Sequence, residues 1–168
     1  MKKIKSDLPD KPSELLLLAL EDLEAVEQDP AYLVDMRHWA SRNRRYTQEC
    51  SVCLAGSVMV KRLIPKQYLN DLDSFQFEPI NFHRGFLMGC EDVANKLYAI
   101  NFFRIGAVEA GLTQLGLSVN ESTRARFRDF FPDKDSQRMD DLSSSERTRE
   151  HWRLNMLTIV GVLQAEGL

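Results

Sequence analysis

Cys50 and Cys53, in the stretch CSVCLAGSVM, are the first side chains in the sequence whose type and spacing could do chemistry. A C-x-x-C pair can offer two thiolates to zinc, but a structural zinc site takes four ligands. The sequence has no second C-x-x-C and no H-x-x-x-H, and only Cys90 and His83 are left to complete a set. A thioredoxin-like role would want a strand before the pair within a βαβ unit, and the hydrophobic pattern offers none. The plainer reading is preferred: two small side chains at the edge of a buried helix, with a zinc-stabilised protein as one alternative.

Other candidate chemistry thins out in the same way. There is no G-x-x-x-x-G-K-[ST] loop, no G-x-G-x-x-G, no G-x-S-x-G elbow and no H-E-x-x-H pair, so the phosphate cradles and nucleophile turns of the large enzyme families are absent. His38, His83 and His151 stand far apart, and no nucleophile or orienting carboxylate can be paired with any of them. Asp133-x-Asp135 opens like a calcium loop, but Arg138 occupies the glycine position and Ser144 that of the bidentate glutamate. A non-enzyme is expected, with no cofactor.

The arginines are more informative. Arg37, His38, Trp39, Arg42, Arg44, Arg45 and Tyr46 interleave cations with aromatics, a composition suited to phosphate contact and base stacking or to an acidic protein surface. The charge of the whole chain is −3, but it is uneven. Residues 1–35 carry four basic and nine acidic side chains, residues 36–66 seven and one, and residues 67–168 eleven and fifteen. The middle segment alone has a basic excess, and Arg37, Trp39, Arg42, Arg44, Arg45 and Tyr46 are therefore the candidate binding residues. With a pI near 5.7, the chain as a whole is not a typical nucleic-acid binder. A protein partner is preferred and nucleic acid is the alternative. Two further pairs, Arg124 with Arg128 and Arg149 with Arg153, fall at i,i+4 on helices, where Asp129, Glu121 and Glu150 could neutralise them as solvated faces.

The elements that must hold this segment read as helices. Pro12 and Ser13 announce the first, with Ser13 as N-cap, and Leu15, Leu16, Ala19, Leu20, Leu23 and Val26 form its apolar stripe until Asp29-Pro30 stops it. Residues 32–46 have no clean period and stay unassigned. The spacing predicts a second helix over about 47–63, apolar nearly all round and hence central, with Gly56 admitting a close neighbour. A long connection follows, packed by Tyr68, Phe75, Phe77 and Phe82. Residues 90–116 form the longest helical pattern, with a seam of Tyr98, Asn101, Ile105, Val108, Leu112 and Leu115 that could face the bundle or a second copy. Asn120 or Ser118 caps a shorter helix ended by Pro132, and Ser143-x-x-Glu146 is a capping box for the last, with Trp152, Met156, Ile159, Val160 and Leu163 on one face.

A chain of 168 residues, 43% hydrophobic and 28% charged, is about one ordinary domain that needs no staple. No apolar run approaches the roughly 20 residues of a membrane span, no signal segment is visible, and three cysteines make no disulfide framework. A cytoplasmic protein is expected. The fold predicted is all-α: one bundle of about five helices over residues 12–168, with one long irregular connection, behind a polar tail at residues 1–11.

The V-C-L-A-G-x-V-M core within Tyr32 to Leu63, followed by Leu97-Tyr98-Ala99-Ile100-Asn101 and Phe103-Arg104-Ile105-Gly106 in an L-x-A-[IL]-N-x-F-R-x-G stretch, resembles a set of small uncharacterised proteins encoded by tailed bacteriophages. The likeness covers a third to a half of the chain and carries over no catalytic residue. It implies a phage protein made in the bacterial host cytoplasm that binds and modulates a host or phage protein complex, of the host-takeover or anti-defence type. It would act as a monomer or as a homodimer through the 98–115 seam, with no membrane involved.

Overall fold

In the computed structural model, the residues described are 7–36, 39–42, 50–64, 91–130 and 146–168. They form a mostly helical protein, as the spacings predict, with a small sheet let into one side. The elements are α1 (Pro12–Glu27), β1 (Tyr32–Val34), β2 (Ala40–Arg42), β3 (Cys50–Val52) and α2 (Leu54–Val58). A π-helical turn (Met59–Leu63) follows α2, and then α3 (Glu91–Arg104), α4 (Val108–Gln114), α5 (Glu121–Phe130) and α6 (Glu146–Ala165).

Helix α1 is the hub. It packs against β1, α2, α3 and α6, burying the predicted stripe of Leu15, Leu16, Ala19, Leu20, Leu23 and Val26. Its start differs from the sequence reading: Lys11 is the N-cap and Pro12 the first helical residue, a position where the missing N–H costs nothing. Ser13 is already inside the helix and donates its hydroxyl to the Leu168 carbonyl, joining the beginning of the bundle to the end of α6. Asp29 Oδ1 accepts from the Ala31 N–H at 3.0 Å and turns the chain into β1.

The predicted helix over 47–63 begins later and is split in two. Cys50–Val52 is the central strand of a sheet ordered β1-β3-β2, parallel to β1 and antiparallel to β2. Cys53 is extended and caps α2, its Sγ accepting from the Gly56 N–H at 3.5 Å. Every residue from Ser51 to Val60 is buried, so the uniform hydrophobicity of this stretch records burial on all sides and not its secondary structure. After Val58 the helix widens, and the Ile64 N–H bonds back five residues to the Met59 carbonyl at 2.8 Å.

The predicted 90–116 helix is also broken. Gly106 takes φ 77°, with the Ala107 N–H on the Phe102 carbonyl at 3.0 Å and the Gly106 N–H on that of Phe103 at 2.9 Å. This left-handed closure ends α3, and α4 folds back so that Gly111 lies against the Phe103 ring. The seam is therefore not one continuous face. Val108 and Leu112 are buried, Tyr98, Asn101, Ile105 and Leu115 only half so, and α3 buries Val93, Lys96, Leu97, Ala99, Ile100 and Phe103 instead. Asn120 caps α5 as expected, accepting from the Thr123 N–H at 2.8 Å. Helix α6 buries its predicted face of Trp152, Met156, Ile159, Val160 and Leu163, and Trp152 Nε1 reaches the Arg104 carbonyl at 2.9 Å. The Ser143 end of the predicted capping box lies outside the described residues. Among the described residues, no helix is long and apolar enough to cross a membrane.

Candidate interaction surface

The candidate binding segment begins at the sheet. Val34 pairs with Val52 and Ala40 with the same Val52 from the other side, so β1 and β2 flank β3 at one end of the ladder. At the other end Arg42 stands opposite Cys50, and the seven residues 43–49 separate those two paired positions in the sequence. Strands of three residues are too short to stand alone. This sheet is held by its neighbours: the Asp35 N–H reaches the Val52 carbonyl at 2.9 Å and the Cys53 N–H the Trp39 carbonyl at 3.3 Å.

Trp39 is the anchor of the segment. Its ring meets Tyr98 edge to face with centroids 5.5 Å apart, a favourable aromatic geometry, and it packs partly buried against the core. Its carbonyl lies directly over Gly56. Trp39 thus joins the basic segment to α2 and α3, and part of its aromatic ring is committed to Tyr98. Of the other candidate binding residues, Arg42 has its backbone in β2, whereas Arg37, Arg44, Arg45 and Tyr46 lie outside the described residues, as does His38.

Five arginines elsewhere among the described residues are engaged within the chain. Arg62, on the π turn, makes a two-pronged contact to Asp22 of α1, Nε to Oδ2 at 2.6 Å and Nη2 to Oδ1 at 2.9 Å. This explains why Asp22 can be buried at 5% exposure, and the hydrogen bond to Asp22 outweighs burial to raise the Arg62 pKa further. Arg124 meets Glu109 at 2.7 Å and Glu121 at 2.9 Å, and Arg126 meets Glu166. Arg149 and Arg153, one turn apart on α6, both reach Glu27, at 3.5 and 2.9 Å. Glu27 sits in the last turn of α1, which has no basic residue of its own. The two arginines supply, from another helix, the positive charge that the C-terminal end of a helix favours. They also line an open cleft of about 470 Å³ with Glu27, Glu150 and Trp152. Of the partners expected for the helical arginines, Glu121 is found, while Glu27 and Glu109 come from other elements and could not be read from i,i+4 spacing.

One buried cation was missed altogether. Lys96 is 4% exposed and donates to the Leu8 carbonyl at 3.0 Å and to Asp10 Oδ1 at 2.6 Å, with Asp92 Oδ2 at 3.1 Å. Burial alone would depress its pKa, but the hydrogen bonds and charges of Asp10 and Asp92 outweigh this and hold it above the ordinary lysine value. The hydrogen bond and charge of Lys96 in turn hold the Asp10 carboxyl below its usual range. Leu8 is itself a core residue, so Leu8 and Asp10 of the expected polar tail are tied to α3 through Lys96. The only sequence signal was a lysine at the phase of Val93, Leu97 and Ile100.

Cys53 is 1% exposed and its sulfur serves α2 as a cap. Cys50 has its backbone in β3, and Cys90 and His83, the remaining candidates for a zinc set, lie outside the described residues. Among the described residues, no three His, Cys, Asp or Glu side chains gather as a metal site.

No protein-family model matches the chain, no curated protein is significantly similar to it, and no solved structure matches its fold.

Proposed function

We propose that this is a non-enzymatic binding protein of the kind encoded by tailed phages, which engages and modulates a host or phage protein complex in the bacterial cytoplasm. Its contact surface is the segment from Arg37 to Tyr46, which presents Arg37, Trp39, Arg42, Arg44, Arg45 and Tyr46 to an acidic partner. The observation that carries this reading is the local charge of the segment, set beside the described arginines of the helices. Arg62, Arg124, Arg126, Arg149 and Arg153 are bound to carboxylates of the same chain. Residues 37–46 hold four arginines and a histidine with no Asp or Glu among them. Positive charge concentrated beside a packed core steers association with an acidic surface and sets its orientation. The Trp39–Tyr98 contact supports the reading because it fixes one point of the segment to the bundle, which lowers the entropy lost on binding.

The test is affinity capture from bacterial lysate with the tagged protein, with and without nuclease, beside the triple variant Arg42→Ala, Arg44→Ala, Arg45→Ala. A protein partner that survives nuclease and is lost with the variant supports the proposal. Recovery that collapses with nuclease, together with filter binding to nucleic acid that falls steeply with salt, replaces it with the nucleic-acid reading. Full capture by the triple variant removes the segment as the site.

A further inference from the structure

Helix α6 turns two leucines away from the core. Leu154 and Leu157 are 59% and 44% exposed, and with Leu33 they are the large hydrophobic side chains left most open among the described residues. At 100° per residue they share the face opposite the buried stripe with Glu150, Thr158, Gly161 and Ala165, all of which are exposed. The twelve residues 154–165, LNMLTIVGVLQA, contain no charge in a chain that is 28% charged. Gly161 lies in the middle of this face, and a Cβ placed there would meet nothing within 4 Å. Glycine is among the least favourable residues for a helix interior, and among the described residues nothing packs into the space its missing side chain leaves.

We propose that this face binds a second copy of the same chain, with the two α6 helices packed antiparallel about a two-fold axis between Leu157 and Thr158. That axis places Leu154 of one protomer over Gly161 of the partner subunit, in the notch left by the missing side chain. It places Leu157 against Thr158 of the partner subunit and His151 against Gln164 of the partner subunit. No two like charges are opposed along the face, and the positive N-terminal end of each helix lies beside the negative C-terminal end of the other. A parallel pair would align like ends and would set Leu154 against Leu154. The contact is isologous, so it closes at two subunits. A single helix face about 30 Å long is at the small end of specific interfaces, which makes the dimer weak and concentration-dependent. The surface is separate from the Arg37–Tyr46 segment and does not depend on the function proposed for it. It also differs from the 98–115 seam, which the closure at Gly106 divides.

Sedimentation velocity of the full chain between ~10 µM and ~1 mM tests this, beside Leu154→Glu and Gly161→Lys. The wild-type protein is expected to pass from monomer to dimer across the range, and both variants to stay monomeric. Gly161→Lys is expected to melt at higher temperature, because it fills open space with a better helix former. Register is read by mixing Leu154→Cys with Gly161→Cys proteins under mild oxidation and mapping the linked peptides, with the 154–161 heterodisulfide expected. A wild-type chain that is monomeric throughout overturns the proposal. So does a dimer that persists at full strength in both variants, or a predominant 154–154 link.

Discussion

The main-chain carbonyl of Trp39 sits over Gly56, so close that any Cβ at position 56 would overlap the oxygen. That oxygen also accepts the Cys53 N–H at 3.3 Å, so one peptide group ties the basic segment to the N-terminal end of α2. The atom that would collide is backbone, one residue before β2 and bonded to the Cys53 N–H, and such backbone cannot step aside cheaply.

Gly56→Ala is therefore expected to destabilise the protein by about 2–4 kcal/mol, although alanine is the better helix former. Urea unfolding of the variant measures this. Gly161→Ala is the control, since position 161 is open; it is expected to gain about 0.5–1 kcal/mol. Equal effects at the two positions would show that Trp39 does not press on α2.

Lys96 fastens residues 8–10 to α3, and its removal strands the Leu8 carbonyl. Lys96→Met is expected to cost about 1–3 kcal/mol and to raise amide exchange in residues 8–12 before the rest of α1. The pH dependence has two limbs. Lys96 has a raised pKa in the folded protein, so its contribution is complete below the ordinary lysine value of 10.5 and is lost as pH rises through the folded value above it. Asp10 has a lowered pKa, so its contribution is complete above the ordinary value of 3.8 and is lost as pH falls through the folded value below it. Thermal melts from acid to alkaline pH should show the alkaline limb vanish in Lys96→Met and the acid limb weaken in Asp10→Asn.

The order of effects around Glu27 separates a tertiary cap from an incidental surface pair. Glu27 occupies the negative end of α1 and is tolerable there because Arg149 and Arg153 face it. Removing both arginines leaves an uncompensated carboxylate at that end, whereas Glu27→Gln removes the awkward charge together with the attraction. The double variant Arg149→Met, Arg153→Met is expected to cost more, about 1–2 kcal/mol, than Glu27→Gln, at about 0.5 kcal/mol. A double-mutant cycle between positions 27 and 153 should give a coupling of about 0.5–1 kcal/mol that shrinks as salt is added. A coupling of zero at low salt would reduce the contact to geometry without energy.

The sequence by itself determined the helical class and the faces of α1 and α6. In both helices the apolar residues recur at three and four positions, and that period survives any arrangement of the neighbours. It also marked residues 37–46 as the basic stretch, because charge is a property of composition. It could not show whether the other arginines were free, since Glu27 and Glu109 reach them from elements distant in sequence. The tertiary structure decided the rest. Three-residue strands are shorter than any period that could reveal them, and they exist only because β3 finds partners on both sides. The stretch Ser51–Val60 is buried all round, so its hydrophobicity cannot distinguish a strand end, a cap, a short α-helix and a π turn. The predicted seam at 98–115 crosses Gly106, where α3 ends, and of its members only Val108 and Leu112 are buried, because spacing by three and four shows neither whether the backbone is continuous nor which of two neighbouring faces meets the core.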